Sequence, residues 1–276
     1  MSAQYPIVIK SYNGDYTVTL HNANYATVEG GVLPQATSVR KLLAKGDSNP
    51  KTSKNTVVTK GLSLYPHKGI GFGNVCPNAK NCVKSCLADQ GQGKVPNVKA
   101  ARVARTVLYY LARKWFLAKL NRELYRFRKS YPSNIVLGVR LNMFSDIPWE
   151  QFGIMENHPN LQFYDYSKSP RRWGMVRPNY WVTFSYDGTN EATARTILAA
   201  GGNVAVVFYN EDGKCGKAAH RQTIPNSFLG RPTLDGGVTD WRPDDQRGHV
   251  VALRLLARTY KDRNEAINSG FAVLTK

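Results

Sequence analysis

After Pro132 the chain repeats one pattern: a short apolar run, a polar end, then an interval before the next run. The runs are NIVLGVRLNMFSDI, LQFYDYSKS, YWVTFSYDG, NVAVVFYNEDG and HVVALRLLA. Strands that are apolar on both faces need cover on both, which is the mark of a parallel sheet between helices. Helical stretches separate some of them, PWEQFGIMENHP and NEATARTILAAG, the second opening after Thr189-Asn190 with Glu191 in its first turn. Five such units predict an α/β fold, a partial or complete (β/α) barrel-like parallel sheet. In barrels the chemistry sits at the C-terminal strand ends. Here those ends carry Arg140, Asn142, Ser145 and Asp146, then Asp165 and Lys168, then Ser185-Tyr186-Asp187, then Tyr209-Asn210.

The N-terminal part has a different period. YPIVIKSYNGDYTVTL alternates apolar and polar residues around Asn13-Gly14, a strong hairpin signal. KGDSNPKTSKN, further on, reads as an exposed connector. The expected organisation is a β-hairpin extension and linker over 1–60 and a cysteine-bearing α/β domain over 61–276. Hydrophobic residues make up 42% of the 276, enough for a core, and this excludes wholesale disorder. No run approaches ~18 apolar residues, so no membrane span is expected. Met1 to Lys10 lacks the pattern of a secretory signal, which points to a cytoplasmic protein.

NVCPNAKNCVKSC is the sharpest chemical signal. Cys76, Cys82 and Cys86 are separated by five and then three residues. Clustered thiols in a reducing compartment suggest metal rather than a disulfide framework. Thiolates hold iron–sulfur clusters, and three protein cysteines leave one iron of a [4Fe–4S] cluster open to a small molecule. Zinc is the rival; it takes four ligands, and Cys215, His67 or His220 would have to complete the set. Buried thiols that ligate nothing are the third reading.

Charge supplies the second signal. Thirty-eight Lys and Arg stand against 19 Asp and Glu, a formal net charge of +19. Such an excess favours polyanions through counterion release, and nucleic acid is the partner to expect. From Asn97 to Lys129 apolar residues recur at helical steps, and the span holds ten basic residues and one acid, Glu123. Arg102, Arg105, Arg113, Lys114, Arg122, Arg126 and Lys129 are candidates for a phosphate-facing stripe; a core helix with a solvated basic face is the plain alternative. Tyr109, Tyr110, Trp115, Trp173 and Trp181 are aromatics that could stack bases or fill the core.

Polar groups at successive strand ends suggest a ligand-facing pocket built from Arg140, Asn142, Asp146, Asp165 and Lys168. In an enzyme these would hold a substrate. A magnesium-dependent nuclease using Asp146, Asp165, Asp235 or Asp240 is a further alternative, although LDGGVTDWRPDD reads first as a solvated turn.

The succession NVCPNAKNCVKSCL, ARVARTVLYYLARKWFLAKL, VRLNMFSDIPWE, FYDYSK, NYWVTFSYDGTN, GGNVAVVF, LDGGVTDWRPDD and GFAVLTK resembles the phage gene-product-88 family over roughly Gly61 to Lys276. That resemblance implies a bacteriophage protein at work in the cytoplasm of its bacterial host. A more distant similarity is to radical S-adenosylmethionine (SAM) enzymes, through three cysteines followed by α/β units. It implies a [4Fe–4S] cluster on Cys76, Cys82 and Cys86 with SAM on the fourth iron. The spacing departs from that superfamily's three and two, Ser85 stands where an aromatic residue is usual, and no Gly-Gly-Glu element follows the next strand.

Overall fold

The computed structural model describes residues 6–46, 57–83, 85, 86, 88, 94–174, 177–213, 215–257 and 259–275. Most of the KGDSNPKTSKN connector lies outside these. The chain divides into two units: 1–45, 60–77 and 87–161 form one, and 46–59, 78–86 and 162–276 form the other. The N-terminal strands share a unit with the basic helices.

The first unit opens with an antiparallel sheet of β1 (Ile7–Ile9), β2 (Tyr16–Asn22), β3 (Tyr25–Gly30) and β4 (Thr37–Val39). Asn13-Gly14 sits in the turn between β1 and β2, where Gly14 takes a φ of 98°, open to glycine. On the inward face Tyr16, Val18, Ala26, Val28 and Val39 are buried. β5 (Leu43–Lys45) pairs antiparallel with β6 (Val58–Leu62), and α1 (Pro96–Leu111), α2 (Arg113–Lys129), β7 (Leu137–Arg140) and α3 (Ile154–Asn157) follow. Pro96 begins α1, where its missing N–H costs nothing.

The span 97–129 is two helices rather than one. Ala112 leaves the helical region at φ −123° and ψ 45°. The Arg113 side chain donates to the carbonyl of Tyr109, four residues back, inserting itself into the backbone ladder. Val103, Val107, Phe116, Leu120, Leu124 and Phe127 turn inward, with Trp149 stacked on Phe116. Each large apolar side chain so buried stabilises the unit by about 1.5–3 kcal/mol.

The second unit is a mostly parallel sheet. Its strands are β8 (Gln162–Ser167), β9 (Tyr180–Ser185), β10 (Val204–Tyr209), β11 (Ser227–Phe228), β12 (Arg231–Asp235), β13 (Val250–Arg254) and β14 (Ala272–Leu274). Their order is β8-β9-β10-β13-β12-β11, parallel except for the β11–β12 hairpin. β9 stays beside β10 only at Val204 and Ala205; β14 then takes over the same edge from Val207 to Tyr209. The sheet forks where β9 ends. α4 (Pro170–Gly174), α5 (Glu191–Ala199) and α6 (Tyr260–Asn268) complete the unit. Ile197 and Leu198 of α5 pack on Phe184, Val204, Val206, Phe208 and Val250. A second cluster gathers Leu255, Ala257, Ala266 and Ala272.

The protein is thus mixed α/β, a large mostly parallel sheet with an N-terminal antiparallel one. All five apolar runs of the sequence are strands: β7, β8, β9, β10 and β13. Among the described residues no helix is long and apolar enough to cross a membrane.

Candidate functional site

The three clustered cysteines are distributed over both units, because the chain passes from one to the other between Pro77 and Asn78. Cys76 belongs to the first. Gly71 and Gly73, at φ 87° and 64°, turn the chain beneath it. The Tyr110 ring fills the space a side chain at Gly73 would need. Asn74 accepts from the Cys76 N–H at 2.9 Å, and the N–H of Asp146 donates to Val75 at 2.7 Å. So held, the Cys76 thiol donates to the carbonyl of Phe144 and accepts the His67 N–H, both at 3.4 Å. Phe144 lies just beyond the carboxyl end of β7.

Cys82 and Cys86 belong to the second unit. Two successive turns, Val83 N–H to Lys80 and Cys86 N–H to Val83, shape their segment. Asn81 anchors it by donating to the carbonyls of Asp187, at 3.0 Å, and Ser269, at 2.5 Å. Asp187 lies just beyond the carboxyl end of β9. Its buried carboxylate accepts from the N–H and hydroxyl of Thr189. Lys84 lies outside the described residues. All three thiols are half-buried and none is in a disulfide. Cys215 is half-buried against the Leu255–Ala272 cluster, and His220 is exposed. Among the described residues no group of three or more His, Cys, Asp and Glu is drawn together as around a metal ion.

The proposed pocket residues divide the same way. In the first unit Asn142 is a structural knot. Its Oδ1 accepts from Ser145, Ile147 N–H and the Trp149 indole, and its Nδ2 donates to the Ile147 carbonyl. It shapes the turn that carries Phe144 and Asp146. Arg140 and Asp146 are half-buried at the end of β7. In the second unit Asp165, 1% exposed, accepts from the Tyr180 hydroxyl and pairs with Arg172 at 3.7 Å. Lys168 is half-buried past the end of β8.

The basic stripe is sorted by the packing. Arg102 is buried, donating to the Ala88 carbonyl under the Phe144 ring. Arg105 donates to the carbonyls of Lys41 and Ser63; burial lowers its pKa to about 10, which leaves it charged at neutral pH. Arg122 donates to Ala23. Arg113, Lys114, Arg126 and Lys129 are exposed. Of the five candidate aromatics, Tyr109 is buried and the other four are half-buried.

The family model described as Gene product 88 matches residues 36–271. The chain belongs to the Gene product 88 family. No curated protein and no solved structure matches it. The family match spans the three cysteines, both basic helices and every strand from β4 to β13, and leaves out β1 to β3 and β14. It accords with a bacteriophage protein and lends no support to the radical SAM similarity.

Two features of this family member escape sequence reasoning. Asp235 is held by Arg254 through two bonds, of 2.5 and 2.9 Å, and those bonds keep its pKa below the usual carboxylate range. A cleft of about 450 Å³ in the first unit is lined by Tyr125, Arg128, Lys129, Tyr131, Asn157 and His158. The only signal for the cleft in the sequence is Tyr125 and Lys129 at helical spacing on the solvent side of α2.

Proposed function

We propose that this Gene product 88 member is a phage protein that holds a [4Fe–4S] cluster on Cys76, Cys82 and Cys86 and associates with nucleic acid through the exposed cations of α2. The observation that carries the first part is the placement of the thiols. Each cysteine-bearing stretch is tied to the chain just past the carboxyl end of a strand in its own unit, at Phe144 after β7 and at Asp187 after β9. Such ends are where α/β sheets put their ligands. The chemistry of the three thiols suits a cluster, although among the described residues they are not drawn together around one point. The thiols are half-buried and not oxidised to one another, and the Cys76 sulfur takes a backbone N–H, the kind of bond that tunes a cluster's potential. A cluster there would supply an iron with one position open. The fold that accompanies this reading is a partial (β/α) barrel, and the setting is the bacterial cytoplasm.

The second part rests on Arg113, Lys114, Arg126 and Lys129, which face solvent in a chain of net charge +19. It is tested by binding to nucleic acid across a salt series. A log–log slope of several units is expected, about 0.7 to 0.9 for each phosphate neutralised. A slope near zero would overturn it. SAM at the open iron is the enzymatic variant of the same site; a change in the reduced cluster's paramagnetic resonance on adding SAM separates the two. Zinc bound in place of iron would make the cysteines a structural staple.

A further inference from the structure

We propose that the cleft at the end of α2 is a stacking site for unpaired bases of a single-stranded nucleic acid. The inference rests on the nucleic-acid reading and gives it a place and a substrate class. Tyr125 is 58% exposed and Tyr131 38%, and both line the cleft. A tyrosine ring has apolar faces and a polar tip, which suits a site that is part apolar and part wet. The cleft is a half-open depression of about 450 Å³.

The Tyr131 ring is held in place. Arg128 donates to the carbonyls of Tyr131, Pro132 and Ile135, which fixes the turn after α2. The Phe127 ring packs edge-on against Tyr131 at 5.8 Å. The Lys129 ammonium lies 5.7 Å from the Tyr125 ring. The charge suits a phosphodiester. A helix C-terminus carries about half a negative charge, which opposes an anion. Arg126, Arg128 and Lys129 in the last turn outweigh it, and no Asp or Glu lines the cleft. Asn157 offers an amide, and His158, held by Asn121 at 2.9 Å, offers a ring that burial keeps neutral. A side-chain ring stacks on a base only when the base face is free, as in a single strand; a duplex presents edges.

The test uses the full chain, a labelled oligothymidylate, an abasic strand of the same length and a duplex. Tyr125→Ala and Tyr131→Ala should each weaken oligothymidylate binding by on the order of tenfold. The Tyr→Phe variants should keep it, and the abasic strand should not distinguish any of them. Unfolding midpoints equal to the parent's exclude a folding effect. Parent binding that neither Ala variant weakens overturns the stacking site and leaves the nucleic-acid reading standing. Duplex bound as tightly as the single strand also overturns it. A parent that binds none of the probes overturns both.

Discussion

Glu123, the one acid in the basic span 97–129, ties the start of β5 to α2, and its partner Lys119 ties in the edges of the N-terminal sheet. Its carboxylate accepts the N–H groups of Leu42 and Leu43 at 2.9–3.1 Å and pairs with Lys119 at 3.0 Å. Lys119 in turn donates to the carbonyls of Asn24 and Arg40. The lysine side chain is 3% exposed and the glutamate 14%, so this is not a surface pair. Nor does it owe its strength to helix geometry, since Lys precedes Glu, the weaker order. Glu123→Ala leaves a buried ammonium without its counter-charge, a loss of about 3–5 kcal/mol. It also strips two buried N–H groups of their acceptor, about 1–3 kcal/mol each. Water admitted through the glutamate's exposed edge returns part of this, so about 4 kcal/mol is the expected total. Glu123→Gln keeps an acceptor for the amides and should cost about half as much. Adding Lys119→Met to Glu123→Gln removes the unpaired charge and should bring stability back to within about 1–2 kcal/mol of the parent. Urea unfolding of the four proteins measures each step. A loss under about 1 kcal/mol for Glu123→Ala would mean that the buried ammonium and amides need no partner here.

Three other outcomes follow from the geometry. Arg113→Ala, Lys114→Ala and Arg126→Ala should each flatten the salt dependence of nucleic-acid binding by roughly 0.7–0.9. Arg105→Ala, whose guanidinium serves two carbonyls, should instead lower the unfolding midpoint and leave that slope alone; a matching drop in slope would count against the inward assignment. Gly188→Ala should destabilise well beyond Gly201→Ala, although both have φ near +85°, because a Cβ at 188 meets the Gly270 carbonyl and one at 201 meets nothing. The second should cost about 1–2 kcal/mol, and equal losses would refute the close approach. Burial pushes the Asp245 carboxyl up to about 6, against the pull of Arg242 and with added repulsion from Asp244 and Asp240. The folded state then holds that proton more tightly than the unfolded state. Its contribution, complete below about pH 4, is lost as the pH rises through about 6. Asp245→Asn should remove that slope between pH 4 and 7, and parallel curves would contradict it.

The sheet was legible because its central strands are covered on both faces and must be apolar throughout. β12 and β14 escape the same logic. RPTLD is half-exposed and carries a proline, and β14 is three residues that exist as a strand only because β9 diverges from β10. The break at Ala112 is invisible to propensity, since alanine is the best helix former; beside it the Arg113 side chain takes the Tyr109 carbonyl. Charge alone could not sort the basic residues. Arg102 and Arg105 read as solvent-facing, yet loops folded over α1 give them carbonyls to bind. Asn142 and Asp165 read as ligand-facing for the same reason: a polar strand end looks open until its partners, Trp149 and Ser145 or Tyr180 and Arg172, are in view. The eleven-residue span of the cysteines likewise conceals the passage between units.

The central claim is tested most directly by analysing the protein purified without oxygen for iron, acid-labile sulfide and zinc, with its visible spectrum. Iron and sulfide are expected in near-equal amounts, approaching four of each per chain, lost together when Cys76, Cys82 and Cys86 become Ala. Protein that carries zinc and no iron, or that binds neither metal with all three thiols reduced, would contradict it.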